Sequence, residues 1–217
     1  MYFEYGEKEI GYLKNKDKIL GEVIEKIGHI YRDVNTDLFS SMVHSIVGQQ
    51  ISTAAHTTVW RRMNESLGEV TPKTICDTDI NDLQKLGMTF KKAGNISDFA
   101  RKIISGELDI EKLNDRNDED VILELSSLKG VGVWTAEMLM IFCMQRQNVL
   151  SFGDLAIHRG IRMLYHHKNV DKKLFEKYRR RYSPYCTVAS LYLWAIAGGA
   201  VEGMRDCAPR RVKTLRK

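Results

Sequence analysis

The sequence runs Leu-Ser-Ser-Leu-Lys-Gly-Val-Gly-Val-Trp-Thr-Ala-Glu-Met from Leu125 to Met138, and Ser-Phe-Gly-Asp-Leu-Ala follows from Ser151 to Ala156. Upstream of the first stretch, Val121, Ile122, Leu125 and Leu128 recur at helical spacing, and Asn117 or Asp118 supplies a start signal. A second apolar helical pattern begins at Val133. Gly130 and Gly132 stand between the two. Glycine admits positive φ and lets another backbone come close. A turn of this kind, opening directly into a helix, aims backbone N–H groups outward at the positive end of the helix dipole. That makes a phosphate-binding surface out of main chain. A dinucleotide fingerprint is excluded, because it needs a preceding strand and a third glycine, where this chain has a helix and Thr135. Two readings stay open on the hairpin alone: a helix–hairpin–helix that grips a DNA backbone, or an ordinary helical corner with a glycine C-cap.

Composition narrows the class. The chain has 217 residues, 43% hydrophobic and 28% charged, which describes a globule large enough for a sizeable core. Three prolines and few alternating β-branched runs predict mostly helix. Lys and Arg number 33 against 28 Asp and Glu, a net +5 that permits nucleic-acid binding without establishing it. Positive charge concentrates in the tail from Arg210 to Lys217, which reads equally well as a solubilising end or a phosphate contact. Cys76, Cys143, Cys186 and Cys207 form no Cys-x-x-Cys pair, so no metal site is expected. The N-terminus lacks a signal-peptide profile, and no apolar run has membrane-spanning length. A cytoplasmic protein with reduced thiols and no membrane contact is expected, nucleoid-associated in a bacterium.

Helical patterns are read over Lys16–Ile27, Leu38–Gln49, Thr53–Leu67, Thr89–Ile104, Glu119–Leu128, Val133–Gln145, Leu155–Tyr165, Lys172–Arg181 and Tyr185–Val201. Val133–Met144 and Val188–Ala197 are apolar nearly all round, which predicts burial on every face. The segment from Asn81 to Asn117 is more polar and loop-punctuated.

Read together, the hairpin, Phe152-Gly-Asp-Leu-Ala-Ile-His-Arg-Gly160, Ser45-Ile-Val-Gly-Gln-Gln-Ile-Ser52 and Tyr192-Leu-Trp-Ala195 resemble the helix–hairpin–helix DNA glycosylase superfamily. The Gly-Gln-Gln-Ile-Ser stretch resembles its alkylated-base branch, in a short form without the N-terminal β domain that some relatives carry. The similarity runs from about Leu38 to about Gly199. It implies an all-α protein with two helical lobes flanking a DNA-binding cleft: one lobe from about 38 to 150, the other from about 1 to 37 with 151 to 217. It also implies a monomer whose partner is double-stranded DNA containing damaged bases, and no cofactor.

The resemblance places Asp154 at the superfamily's catalytic position. Cleaving an N-glycosidic bond builds positive charge on the sugar, which a carboxylate near C1′ stabilises while it orients or deprotonates the attacking water. Asp154 also directly precedes an apolar helix and suits an N-cap, a role compatible with the first. Lyase-competent members carry a lysine where this chain has Trp134, and an indole cannot form a Schiff base. Trp134 and Trp194 are candidates to line a base pocket, since an alkylated purine is cationic and ring faces attract cations by about 0.5–2 kcal/mol. Core packing is the alternative for both, and the expected role for Tyr185 and Tyr192. Gly130 and Gly132 would hold the DNA backbone. Gln49 and Gln50 occupy the turn that in the family fills the gap left by an extruded nucleotide. Relatives often carry leucine at the position of Gln50, and the competing role for the pair is to satisfy buried backbone groups. For His158, Arg159 and Arg162 a solvated face is the default, with a phosphate contact open for Arg159; His166 and His167 read as surface.

The function expected is a monofunctional DNA glycosylase for alkylated purines. Two rivals are a superfamily member acting on oxidised or mismatched bases, and a helix–hairpin–helix protein that binds DNA without cutting it.

Overall fold

A computed structural model describes residues 1–209, so the basic tail expected to contact phosphate or solvent lies outside the described residues. Twelve α-helices and one 3-10 turn account for the regular structure among them, with a single isolated bridge between Tyr2 and Asp33. The chain divides into two compact units, Val34–Gln145 and a discontinuous one made of Met1–Asp33 with the chain from Arg146 onward.

The continuous unit holds α3 (Leu38–Gly48), α4 (Thr53–Leu67), α5 (Pro72–Cys76), α6 (Ile80–Lys85), α7 (Phe90–Ile104), α8 (Asp118–Ser127) and α9 (Val133–Phe142). Side chains of Asp37, Ser52, Thr71, Asp79, Thr89 and Asn117 cap the first six at their N-termini, each accepting a first-turn N–H. Phe39 stacks on Phe99, joining α3 to α7, and Met42, Ile46, Ile96 and Leu113 are fully buried around them. The segment expected to be loop-rich contains the short α6 and a 3-10 turn, Lys112–Asp115. These are anchored by Leu83 and Leu113, apolar side chains too isolated in sequence to show a period.

The discontinuous unit holds α1 (Glu7–Lys16), α2 (Lys18–Ile27), α10 (Leu155–Tyr165), α11 (Lys172–Tyr182) and α12 (Cys186–Ala197). The pattern read as one helix from Lys16 begins instead at Lys18. Asp17 takes extended backbone angles, ends α1 and caps α2 by accepting from Leu20 N at 3.0 Å. Asp17 is 4% exposed and also accepts from Tyr165 Oη at 2.8 Å and Arg181 at 2.5 Å. Such a buried carboxylate is tolerable because every partner is a donor. Val188, Leu191, Tyr192, Leu193 and Ile196 are all 2% exposed or less, so α12 is the rod around which this unit packs. Burying each such apolar side chain contributes about 1.5–3 kcal/mol.

One burial expectation fails at its start. Val133 and Trp134 are 54% and 48% exposed, although Ala136, Leu139, Met140 and Ile141 behind them are buried. The first turn of α9 projects out of its unit, and hydrophobicity alone could not tell projection from burial.

Candidate active site

The hairpin forms as its glycines require. Leu128 ends α8, and Val131 N–H donates back to Leu128 O at 3.1 Å, closing a four-residue turn. Gly130 sits third in that turn with φ +87°, where a type II turn demands positive φ. A β carbon there would lie 2.5 Å from Asn95 Nδ2, so conformation and space both select glycine. Gly132 is different. Its φ is −93°, and nothing lies within 4 Å of where its β carbon would be. As N-cap of α9 it has no side chain to close the first turn, unlike the six helices before it in this unit. The peptide surface at Gly132 is therefore open to an approaching group, at a helix end that favours an anion.

Gln49 and Gln50 follow α3 in the same unit. Gln49 Nε2 donates to Gly130 O at 2.7 Å, joining this turn to the hairpin across 81 positions of sequence. Gln49 thus bonds a backbone group, but an exposed one rather than the buried group expected. Lys92 Nζ donates to Val47 O at 2.8 Å and Gln49 O at 2.5 Å, and burial pushes its amine below the ordinary lysine value. Gln50 is exposed, with φ +57° in the left-handed region, and Ile51 beside it is 38% exposed. Neither Lys92 nor Asn95 is marked by any motif. Their roles depend on contacts far apart in the chain.

Asp154 belongs to the discontinuous unit and is 7% exposed. Its Oδ1 accepts from Ala156 N at 2.8 Å and Ile157 N at 3.0 Å, so it caps α10 as expected. One turn further along, His158 Nε2–H donates to Phe152 O at 2.8 Å, and the His158 ring stacks on Phe175. His158 is therefore part of the scaffold, a correction to the solvated face expected of it. Arg162 likewise pairs through two nitrogens with Asp206, both bonds 2.7 Å, rather than facing solvent. Arg159 is exposed. His166 is exposed, but His167 Nε2 lies 2.7 Å from Tyr178 Oη and is partly buried.

Trp194 is half-buried on α12 and lines a recess of about 230 Å³ with Ile30, Arg32, Leu191 and Ala195. Arg32 and Ile30 were not predicted. They come from the other end of the chain, and only the fold brings them to this helix. Tyr192 is fully buried and donates to Gly28 O at 3.0 Å, whereas Tyr185 packs edge-on against Tyr12. No group of three or more His, Cys, Asp or Glu suited to a metal occurs among the described residues.

Residues 43–184 match the HhH-GPD superfamily base excision DNA repair protein. The DNA-3-methyladenine glycosylase 1 of Schizosaccharomyces pombe is 29% identical over 161 residues, 72% of this chain and 71% of its own length. The DNA-3-methyladenine glycosylase of Bacillus subtilis is 27% identical over 176 residues, and this chain spans only 57% of it. Among solved structures, the DNA-3-methyladenine glycosidase of Bacillus halodurans superposes with a TM-score of 0.86 at 33% identity, covering 95% of this chain and 97% of its own. The Schizosaccharomyces pombe enzyme Mag1 in complex with abasic DNA gives 0.75 at 26% identity, over 88% and 97% of the two chains.

Proposed function

The chain belongs to the HhH-GPD superfamily of base excision DNA repair proteins, and from that membership we propose that it is a monofunctional DNA glycosylase for alkylated purines. The type within the superfamily is that of 3-methyladenine DNA glycosylase II. The relatives named for 3-methyladenine support the substrate class. The observation that carries the chemistry is the carboxylate of Asp154, buried and oriented by two backbone amides at the start of α10.

The target nucleotide leaves the duplex, because its C1′ cannot be reached inside the stack. The bond from C1′ to the base nitrogen breaks with its electron pair going to the base. A purine already cationic through alkylation departs neutral, so no general acid is needed. The sugar becomes oxocarbenium-like, and the fixed negative charge of Asp154 lowers the energy of that state. Water adds its oxygen to C1′ and gives up a proton, which Asp154 accepts or directs. The product is an abasic site in an unbroken strand. Trp194 presents a ring face to the cationic base, and the open backbone at Gly132 holds phosphate. Gln50 fills the vacated space.

The test is to incubate the protein with dimethyl-sulfate-treated duplex DNA and identify released bases by chromatography. Release of 3-methyladenine or 7-methylguanine is expected. Tight binding with no base released would leave a DNA-binding protein and overturn the assignment.

A further inference from the structure

Gln50 is held at φ +57°, in the left-handed region that a side-chain-bearing residue adopts only at an energetic cost. Such a residue persists where its surroundings over-determine it, and here the constraints lie on both sides of α3's end. Lys92, from α7, grips the carbonyls of Val47 and Gln49. Gln49 in turn reaches the hairpin through Gly130 O. Asn95, one turn along α7 from Lys92, packs against Gly130. One helix thus braces both the exposed turn and the hairpin. The carbonyls that Lys92 holds close the C-terminus of α3, where a cation is favoured by the helix dipole.

We infer that Lys92 is a positioning residue for base extrusion: acting through Gln49, it fixes the Gln50 turn at a set height beside the phosphate-gripping hairpin, so that Gln50 enters the stack when the backbone is gripped. This rests on the reading of the chain as a base-flipping glycosylase. Lys92 touches neither substrate nor reacting atoms in this scheme. Its contribution is to registration, and misplacement of about 1 Å in such a group costs about 10²-fold in rate.

The role is separable from stability by the substrate. A lesion in a fully paired duplex requires the gap to be filled, whereas one in an unpaired bulge requires it far less. Single-turnover excision of 7-methylguanine is therefore measured in both contexts for wild type, Lys92→Met, Gln49→Glu and Lys92→Arg. The expected result is a loss for Lys92→Met and Gln49→Glu that is about tenfold or more larger on the paired duplex than on the bulge. Lys92→Arg, which keeps two donors and the charge, restores most of the paired activity. Equal losses in both contexts would reduce Lys92 to a stabilising residue and overturn the inference, as would no loss at all. If wild type releases no base from either duplex, the glycosylase reading falls first, and the two failures are distinguishable.

Discussion

Gly160 on α10 lies against the backbone of Leu193 on α12 so closely that a β carbon would sit 2.3 Å from the Leu193 carbonyl oxygen. The helix that begins at Asp154 and the helix that carries Trp194 are therefore in main-chain contact, with no side chain to act as a cushion. Gly160→Ala gains helix propensity of about 1 kcal/mol. That gain is expected to be outweighed by overpacking against an immobile carbonyl, a net loss in the range of about 1–3 kcal/mol. Urea denaturation of the variant measures it; a midpoint at or above wild type would show that α10 and α12 separate freely.

Asp154→Asn is expected to fold normally, since asparagine is as good an N-cap as aspartate and its Oδ1 accepts the same two amides. Base excision should fall by at least about 10²–10³-fold, because the amide carries no charge to oppose the oxocarbenium. Single-turnover assays with a thermal melt as control decide this. Wild-type excision by a folded variant would remove Asp154 from the mechanism.

Gly132→Val and Gly130→Val separate backbone grip from hairpin folding. At Gly132 the φ is ordinary and the space open, so valine leaves the fold intact and weakens binding to damaged and undamaged duplexes alike. At Gly130 both the positive φ and Asn95 oppose a side chain, and valine destabilises the protein itself. Titrations of both DNAs, paired with melting curves, give the comparison. A defect of Gly132→Val confined to damaged DNA would move Gly132 from the phosphate grip to the base pocket.

Wild-type protein should leave the strand intact until alkali is added, and borohydride should trap no stoichiometric adduct. β-Elimination needs an amine on C1′, and the position that supplies it in lyases holds Trp134. Of the nearby lysines, Lys92 is committed to two carbonyls, and Lys129 lies 3.5 Å from Asp98. An adduct forming as fast as base release would identify an unforeseen lysine nucleophile. Trp134→Lys is not expected to create a lyase, since it removes an aromatic face as it adds the amine.

Local signals were legible and long-range ones were not. The glycine turn, the Asp154 cap and the helices around them follow from residues within a few positions of one another and appear in the structure, although the helix read over Val133–Gln145 ends at Phe142. The break at Asp17 was missed although its cap on Leu20 N is local; the bonds to Tyr165 and Arg181 that hold this carboxylate buried come from more than a hundred residues away. The bond from Gln49 to Gly130, the brace of Lys92 and the recess formed by Ile30 and Arg32 with Trp194 are hidden for the same reason. The exposed start of α9 shows the converse limit: an apolar run records which residues avoid water on average, not which of them the fold leaves exposed.

The discontinuous unit is tied together by pairings between the two ends of the chain, among them Tyr12 Oη to Ser183 O at 2.5 Å, Arg181 to Asp17, and Tyr192 Oη to Gly28 O. During synthesis the continuous unit emerges whole while its neighbour still lacks α10, α11 and α12, and domains fold as units in order of emergence. The hairpin therefore matures before the carboxylate has its surroundings. A chain cut short before α12 would therefore carry a formed hairpin together with an Asp154 whose helix lacks the backbone of Leu193 that it packs against.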